Sequence, residues 1–279
     1  RRPLRSTLFP YTTLFRSQGL LSNHFIRAYD INLKAIDYAK RHHWIHEGTN
    51  DITDFAKELD VVYLCLYPTQ IVPFIQENQK YFLNPTLFID IAGIKENLVK
   101  TLLPIFSPQH EFVFTHPIAG REKIGVEFSK PSIFHKANYI ITPHEKNTPS
   151  ALKQTEDLAI EMGFGKITYV SPKEHDDMIA YTSQLTHLLS LALVHSEREN
   201  DEVSRFIGDS YRDLTRIAMI NEPLWSELFL TNKESLLNRL HAFQASLSTF
   251  EQAIQHNDIE RLQSLMKEAK QKRLKIEKE

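Results

Sequence analysis

The chain has 279 residues, enough for two domains and a substantial core. Its 42% hydrophobic and 24% charged residues are ordinary for a soluble globular protein, and a net charge of −2 gives no electrostatic footing for nucleic acid or an anionic membrane. No apolar run approaches the roughly 20 residues that span a bilayer, and the one cysteine, Cys65, excludes disulfides and a cysteine-based metal site, so no metal is expected and a reducing cytoplasm is favoured.

Residues 1–17 carry Arg1, Arg2, Arg5 and Arg16 and no acid, the composition of a mitochondrial transit peptide. Residues 6–17, however, resemble the translation of a common DNA-sequencing adapter. The segment is therefore read as non-native, with the natural chain differing upstream of Gln18.

Residues 25–30 read as a strand ending in an acid, and 33–41 as a helix. Residues 61–67, with Cys65 among them, form a continuous apolar run of the buried, parallel kind. Further strands are expected at 87–90 and 112–114. Strands alternating with short helices indicate an α/β fold, a doubly wound, Rossmann-like parallel sheet. In a dinucleotide-binding sheet the second strand ends in an acid that holds the adenosine ribose. Asp30 stands at that place, although an acid capping a surface turn leaves the same signature. No basic residue directly follows it to meet a 2′-phosphate, so NAD is expected rather than NADP. The glycine-rich turn belongs about 20 residues earlier, inside the adapter-like segment. No G-x-G-x-x-G occurs in the chain, so the sheet is expected to be N-terminally truncated.

After the apolar Phe112, Val113 and Phe114 comes Thr115-His116-Pro117-Ile118-Ala119-Gly120-Arg121-Glu122-Lys123-Ile124-Gly125. A histidine just past a strand end faces the crevice where such sheets bind ligands, and imidazole suits a general base near neutral pH. A His-Pro pair in a turn is the competing reading. Residues 137–142 form another strand, Thr148-Pro149 open a helix that Gly163 closes, and 167–170 make one more strand. Ser171-Pro172-Lys173-Glu174 combine an N-cap, a proline and a capping-box glutamate. The domain boundary is placed here, with a truncated dinucleotide-binding domain over 18–171 and a helical one over 172–279.

No strand pattern recurs beyond that point. A helix from Pro172 to about His195 carries Ser183 and His187 one turn apart, either as a core hydrogen bond or as a substrate contact. A second helix, 208–220, has the stripe Tyr211, Leu214, Ile217 and Ala218. Its Arg216 either pairs on a solvated face or grips a carboxylate in two hydrogen bonds. Apolar residues at 236, 240, 243, 247, 250 and 254 make a heptad seam that suits a homodimer interface. Residues 257–260 cap a final helix whose charged end, 267–279, is expected to be solvated and frayed.

From about Tyr29 to Lys270 the chain resembles prephenate dehydrogenase. The resemblance rests on the Thr115–Gly125 string and on Asn138-Tyr139-Ile140-Ile141-Thr142-Pro143. It rests further on Glu174-His175-Asp176, Ser183-Gln184-Leu185-Thr186-His187, Asp213-Leu214-Thr215-Arg216-Ile217-Ala218 and Asn221-Glu222-Pro223-Leu224-Trp225, with Asn232 beyond. It implies oxidation and decarboxylation of prephenate to 4-hydroxyphenylpyruvate in tyrosine biosynthesis, with NAD taking the hydride, or the same reaction on arogenate. If the glycine-rich loop is truly absent, it implies prephenate binding without turnover. His116 becomes the base on the ring hydroxyl and Arg216 the grip on a carboxylate. His187, Ser183, Arg121 and Glu122 become pocket residues. Asp30 and Leu66, Tyr67 and Pro68 become cofactor contacts. Many members carry Gly-Ser-x-Lys near the nicotinamide where this chain has Ala92-Gly93-Ile94-Lys95, so the serine that the resemblance implies beside the histidine is missing, and another group or a water has to replace it.

Overall fold

The structure, a computed structural model, describes residues 24–119, 132, 134–198 and 202–277. The adapter-like segment, Arg121 and Glu122 lie outside the described residues. By compactness the chain divides into two units, one running to Asn232 and one from Lys233 onward.

In the first unit β1 (Arg27–Tyr29) pairs in parallel with β2 (Glu47–Thr49). They are joined through α1 (Leu33–Arg41), whose N-cap Asn32 accepts from the Lys34 amide and whose Ala35, Ile36 and Ala39 are buried. α2 (Ile52–Phe55) then leads to a five-stranded sheet. Its strands lie side by side in chain order as β3 (Val61–Leu64), β4 (Leu87–Asp90), β5 (Glu111–Pro117), β6 (Asn138–Thr142) and β7 (Lys166–Tyr169). β3, β4 and β5 are parallel, α3 (Pro68–Asn78) and α4 (Glu96–Leu102) serving as crossovers. The expected sheet is thus parallel only in part, since β6 runs antiparallel to β5 and carries β7 parallel to itself through α5 (Pro149–Glu161). The described residues are consistent with the Rossmann-like expectation, an α/β sheet with helical crossovers.

Every residue of β4 is buried, as a strand covered on both faces requires. Its alternation sorts two cores. Phe88 joins Phe112, Phe114, Ile71, Phe74, Ile75, Leu98 and Leu102, the layer between sheet and α3–α4. Ile89 joins Val113, Tyr139, Ile141, Ala151, Ala159 and Met162, the layer under α5. A fully buried side chain of this size stabilises by about 1.5–3 kcal/mol, so the sheet is anchored from both sides.

Several boundaries differ from expectation for local reasons. β3 stops at Leu64 rather than at 67 because Pro68 opens α3 from the extended Tyr67 cap. β5 runs through His116 to Pro117, so the histidine lies within a strand and not in a loop. Parallel pairing with β4 ends at Asp90↔Phe114, while the antiparallel register continues through Thr115↔Ile141 and His116↔Ile140. His116 therefore projects two residues beyond the carboxyl end of β4. Ser171 makes the expected capping box with Glu174 at the start of α6 (Pro172–Ile179). The helix is not uniform to His195: a π-helical turn, Ala180–Gln184, separates α6 from α7 (Leu185–His195). α8 (Asp209–Thr215) buries none of its residues fully; of the stripe read from sequence Tyr211, Ile217 and Ala218 are half-buried, whereas Leu214 is 64% exposed. A 3₁₀ turn (Arg216–Ala218) and α9 (Glu222–Thr231) follow. The second unit is a helical pair, α10 (Lys233–Gln255) and α11 (Ile259–Ile276), with Asp258 capping α11. α11 stays helical to Ile276, closing with an Arg273–Glu277 ion pair instead of fraying at 267. Among the described residues no helix is long and apolar enough to cross a membrane.

At the end of β4 the Asp90 carboxylate is fully buried against Lys95 Nζ, 2.5 Å away and equally buried. It also accepts from the amides of Ala92 and Thr115, and Tyr139 OH donates to Thr115 Oγ1. Burial pushes the carboxyl up and the ammonium down, and their mutual attraction opposes both shifts. Removing one member of such a pair strands the other charge. Lys95→Met is expected to destabilise the protein by about 3–5 kcal/mol, read as a lowered urea midpoint at unchanged slope.

Candidate active site

The site grows from the carboxyl edge of β4 and β5, where β4 gives way to the turn 91–95 and β5 continues into His116. The turn comes close to the imidazole at Gly93. A Cβ there would lie 3.9 Å from His116 Nε2 and 3.3 Å from Leu228 Cδ2. Behind the half-buried His116 ring, its Nδ1 sits 2.9 Å from Nε2 of His175. His175 Nδ1 lies 2.7 Å from Oδ1 of Asp176. Both α6 residues are buried. The Asp176 carboxylate accepts the Lys95 amide at Oδ1 and the Glu96 amide at Oδ2, each at 2.8 Å. His116 is thus engaged from its Nδ1 side by the His175 imidazole. Desolvation holds the His116 imidazole well below its ordinary 6.5, and neighbouring His175 and Lys95 push the same way. His175 is also lowered by burial, against the pull of Asp176.

α9 ties this edge to the helical segment. Asn221 Nδ2 donates to Tyr67 OH (3.3 Å), and Glu227 Oε1 accepts the Thr69 amide (2.7 Å). Trp225 stacks on the His187 ring, centroids 3.7 Å apart. The Leu228 carbonyl accepts from Gln184 Nε2, and Asn232 Nδ2 donates both to the Asp176 carbonyl and to Gln184 Oε1.

His187 Nδ1 donates to the carbonyl of Ser183, so this link runs through the Ser183 backbone and not its hydroxyl. The bond fixes the ring. Arg216 lies exposed in the 3₁₀ turn, and that turn packs on α7, the helix of His187. His116, Gly93, Trp225 and His187 are therefore linked through α9, and Arg216 joins them by way of α7. Arg121 and Glu122 lie outside the described residues. Among the described residues no group of three His, Cys, Asp or Glu side chains could hold a metal.

The expected cofactor contacts sit at strand ends. Asp30 follows β1 and is buried, with Oδ1 accepting the Asn32 amide. Leu66 and Tyr67 lie between β3 and α3, and Pro68 is the first residue of α3. A carboxylate after β1, a strand–helix turn after β3 and the bare backbone of Gly93 beside the imidazole fit the ribose and nicotinamide ends of a dinucleotide. His175 and Asp176 are site residues that a local reading of the sequence misses as such. Their signal is the Glu174-His175-Asp176 string, but its role depends on a contact across 59 positions.

Residues 16–168 match the family model of the prephenate dehydrogenase nucleotide-binding domain, and 171–268 that of the prephenate dehydrogenase dimerization domain. A cyclohexadienyl dehydrogenase of Zymomonas mobilis is 30% identical over 82% of this chain and 79% of its own length. A prephenate dehydrogenase of Bacillus subtilis is 29% identical over 66% of this chain, a match spanning half of that relative. The crystal structure of prephenate dehydrogenase from Aquifex aeolicus, in complex with hydroxyphenyl propionate and NAD+, superposes with a TM-score of 0.85 at 28% identity, covering 96% of this chain and 93% of that one. The chain belongs to the prephenate dehydrogenase family of NAD-dependent oxidoreductases.

Proposed function

We propose that this chain oxidises and decarboxylates prephenate to 4-hydroxyphenylpyruvate in tyrosine biosynthesis, with His116 as the base. The observation that carries this reading is the His116 imidazole itself. It projects past the carboxyl end of β4, is tied at Nδ1 to His175, and borders bare Gly93 backbone at Nε2. NAD, when bound, supplies the hydride acceptor. Nε2 takes the proton of the ring hydroxyl as the carbon–hydrogen bond breaks, and returns it to the phenolic oxygen once the ring carboxylate has left as carbon dioxide. Asp30 holds the adenosine ribose, and Leu66, Tyr67 and Pro68 line the dinucleotide groove. Arg216 grips a substrate carboxylate, with His187, Ser183, Arg121 and Glu122 completing the pocket.

In this reading residues 18–171 carry the nucleotide and 172–279 the substrate pocket and dimer contact, in a cytoplasmic homodimer. Supporting the dimer, the matched family model is a dimerization domain, and α10–α11 leave Leu247, Ile254, Ile259 and Met266 exposed. Sedimentation at micromolar concentration tests it. Steady-state rates on prephenate and arogenate, measured side by side, test the substrate: faster turnover of arogenate would assign the chain to that reaction.

His116→Asn should lower kcat by on the order of 10²–10⁴, measured as NADH formation. The base must be neutral, and burial depresses its pKa, so protonation sets in only below the ordinary 6.5. The acid limb of kcat/KM is therefore expected below pH 6.5, and a limb above it would contradict the assignment. By the same sign the unfolded chain takes up this proton first, so folding stability should decline as pH falls from 6.5 toward the folded value. Arg216→Lys keeps the charge but loses the planar fork. It should raise KM for prephenate by about 10- to 100-fold with a smaller change in kcat.

A further inference from the structure

We propose that His175 and Asp176 are positioning residues that set the tautomer of His116, placing its one ring proton on Nδ1 and leaving Nε2 as the acceptor. The inference rests on the reading of His116 as base and extends it to residues that touch no substrate.

The direction of the hydrogen bonds follows from the donor inventory. Asp176 accepts the backbone N–H groups of Lys95 and Glu96, donors that cannot be reversed. A carboxylate so engaged is an acceptor for its next neighbour as well. The 2.7 Å contact with His175 therefore puts the His175 proton on Nδ1. A neutral imidazole carries one proton, so His175 Nε2 presents a lone pair. The 2.9 Å contact to His116 Nδ1 is then satisfied only if His116 donates. The remaining nitrogen, Nε2, holds a lone pair and borders Gly93, where no side chain offers it a donor. Each link depends on the one before, and the chain of bonds starts from two peptide groups fixed by the fold. Without it, both neutral tautomers of His116 would be open, and the one with Nε2–H cannot act as a base.

The surroundings support a designed contact. His175 and Asp176 are 1% and 2% exposed, and Asn232 anchors the Asp176 carbonyl. Buried polar groups of this kind are costly unless satisfied.

The test combines nitrogen-15 NMR of histidine-labelled protein with kinetics. His116 is assigned by its loss in His116→Asn. The wild-type spectrum should show neutral His116 protonated at Nδ1; a proton on Nε2 overturns the proposal, whatever the variants do. His175→Gln offers an amide oxygen to His116 Nδ1–H, whereas His175→Leu offers none. In His175→Leu, kcat should fall on the order of 10²-fold with KM for prephenate little changed, and the His116 signals should show mixed tautomers. His175→Gln should recover kcat to within about tenfold of wild type. If His175→Leu keeps both the tautomer and kcat, the relay is wrong while the base stands. If His116→Asn itself keeps turnover, the base reading fails, and the spectrum still decides the tautomer. Should His175→Leu not fold, the wild-type spectrum alone distinguishes Nδ1–H, which upholds the relay, from Nε2–H, which overturns it.

Discussion

The carboxylate of Asp176 is the point on which the site depends. It receives the amides that begin α4 and the ring of His175, while the main-chain carbonyl of the same residue accepts from the side chain of Asn232 at the end of α9. A buried carboxylate is tolerated only when its oxygens are supplied with donors. Here the donors come from the sheet side and from its own helix, so satisfying one charge fixes the placement of three segments. The turn holding Gly93 and Lys95 cannot shift without breaking the bonds that orient the histidine relay.

The Asp90–Lys95 pair braces the same turn from beneath. Its two charges are fully buried, and attraction between them offsets part of the cost of desolvation. From above, α9 acts as a strap. Asn221 and Glu227 hold it to the turn after β3, Leu228 lies over Gly93, and Trp225 covers His187. One ten-residue helix thus spans from the groove expected to take the cofactor to the helix expected to take the substrate.

Much of the fold is legible along the chain. α1 and β4 fall on the residues where periodicity and apolar runs put them, and Ser171, Thr148 and Asp258 cap the helices their chemistry suggests. What escapes is non-local. His116 sits inside a strand because β6 pairs with it antiparallel, and nothing near residue 116 announces that partner. The stripe over 208–220 is covered only in part, because periodicity says which residues share a face, not whether the face is covered. Leu214 stands in solvent. His175 and Asp176 can be read as the start of a well-capped helix. Their meeting with His116 arises only when the sheet and the helical segment fold together.

The π-helical turn at Ala180–Gln184 has a geometric consequence. His187 comes twelve residues after His175, which in an unbroken α-helix would set the two roughly 120° apart around the axis. A π turn accommodates one extra residue, and that correction brings them to within about 20°. A single wider turn therefore turns the histidine that steadies the base and the histidine stacked on Trp225 toward one side of the same rod. Deleting one residue from the turn would leave a regular helix with the two histidines still roughly 20° apart, whereas straightening the turn with every residue kept would set them roughly 120° apart.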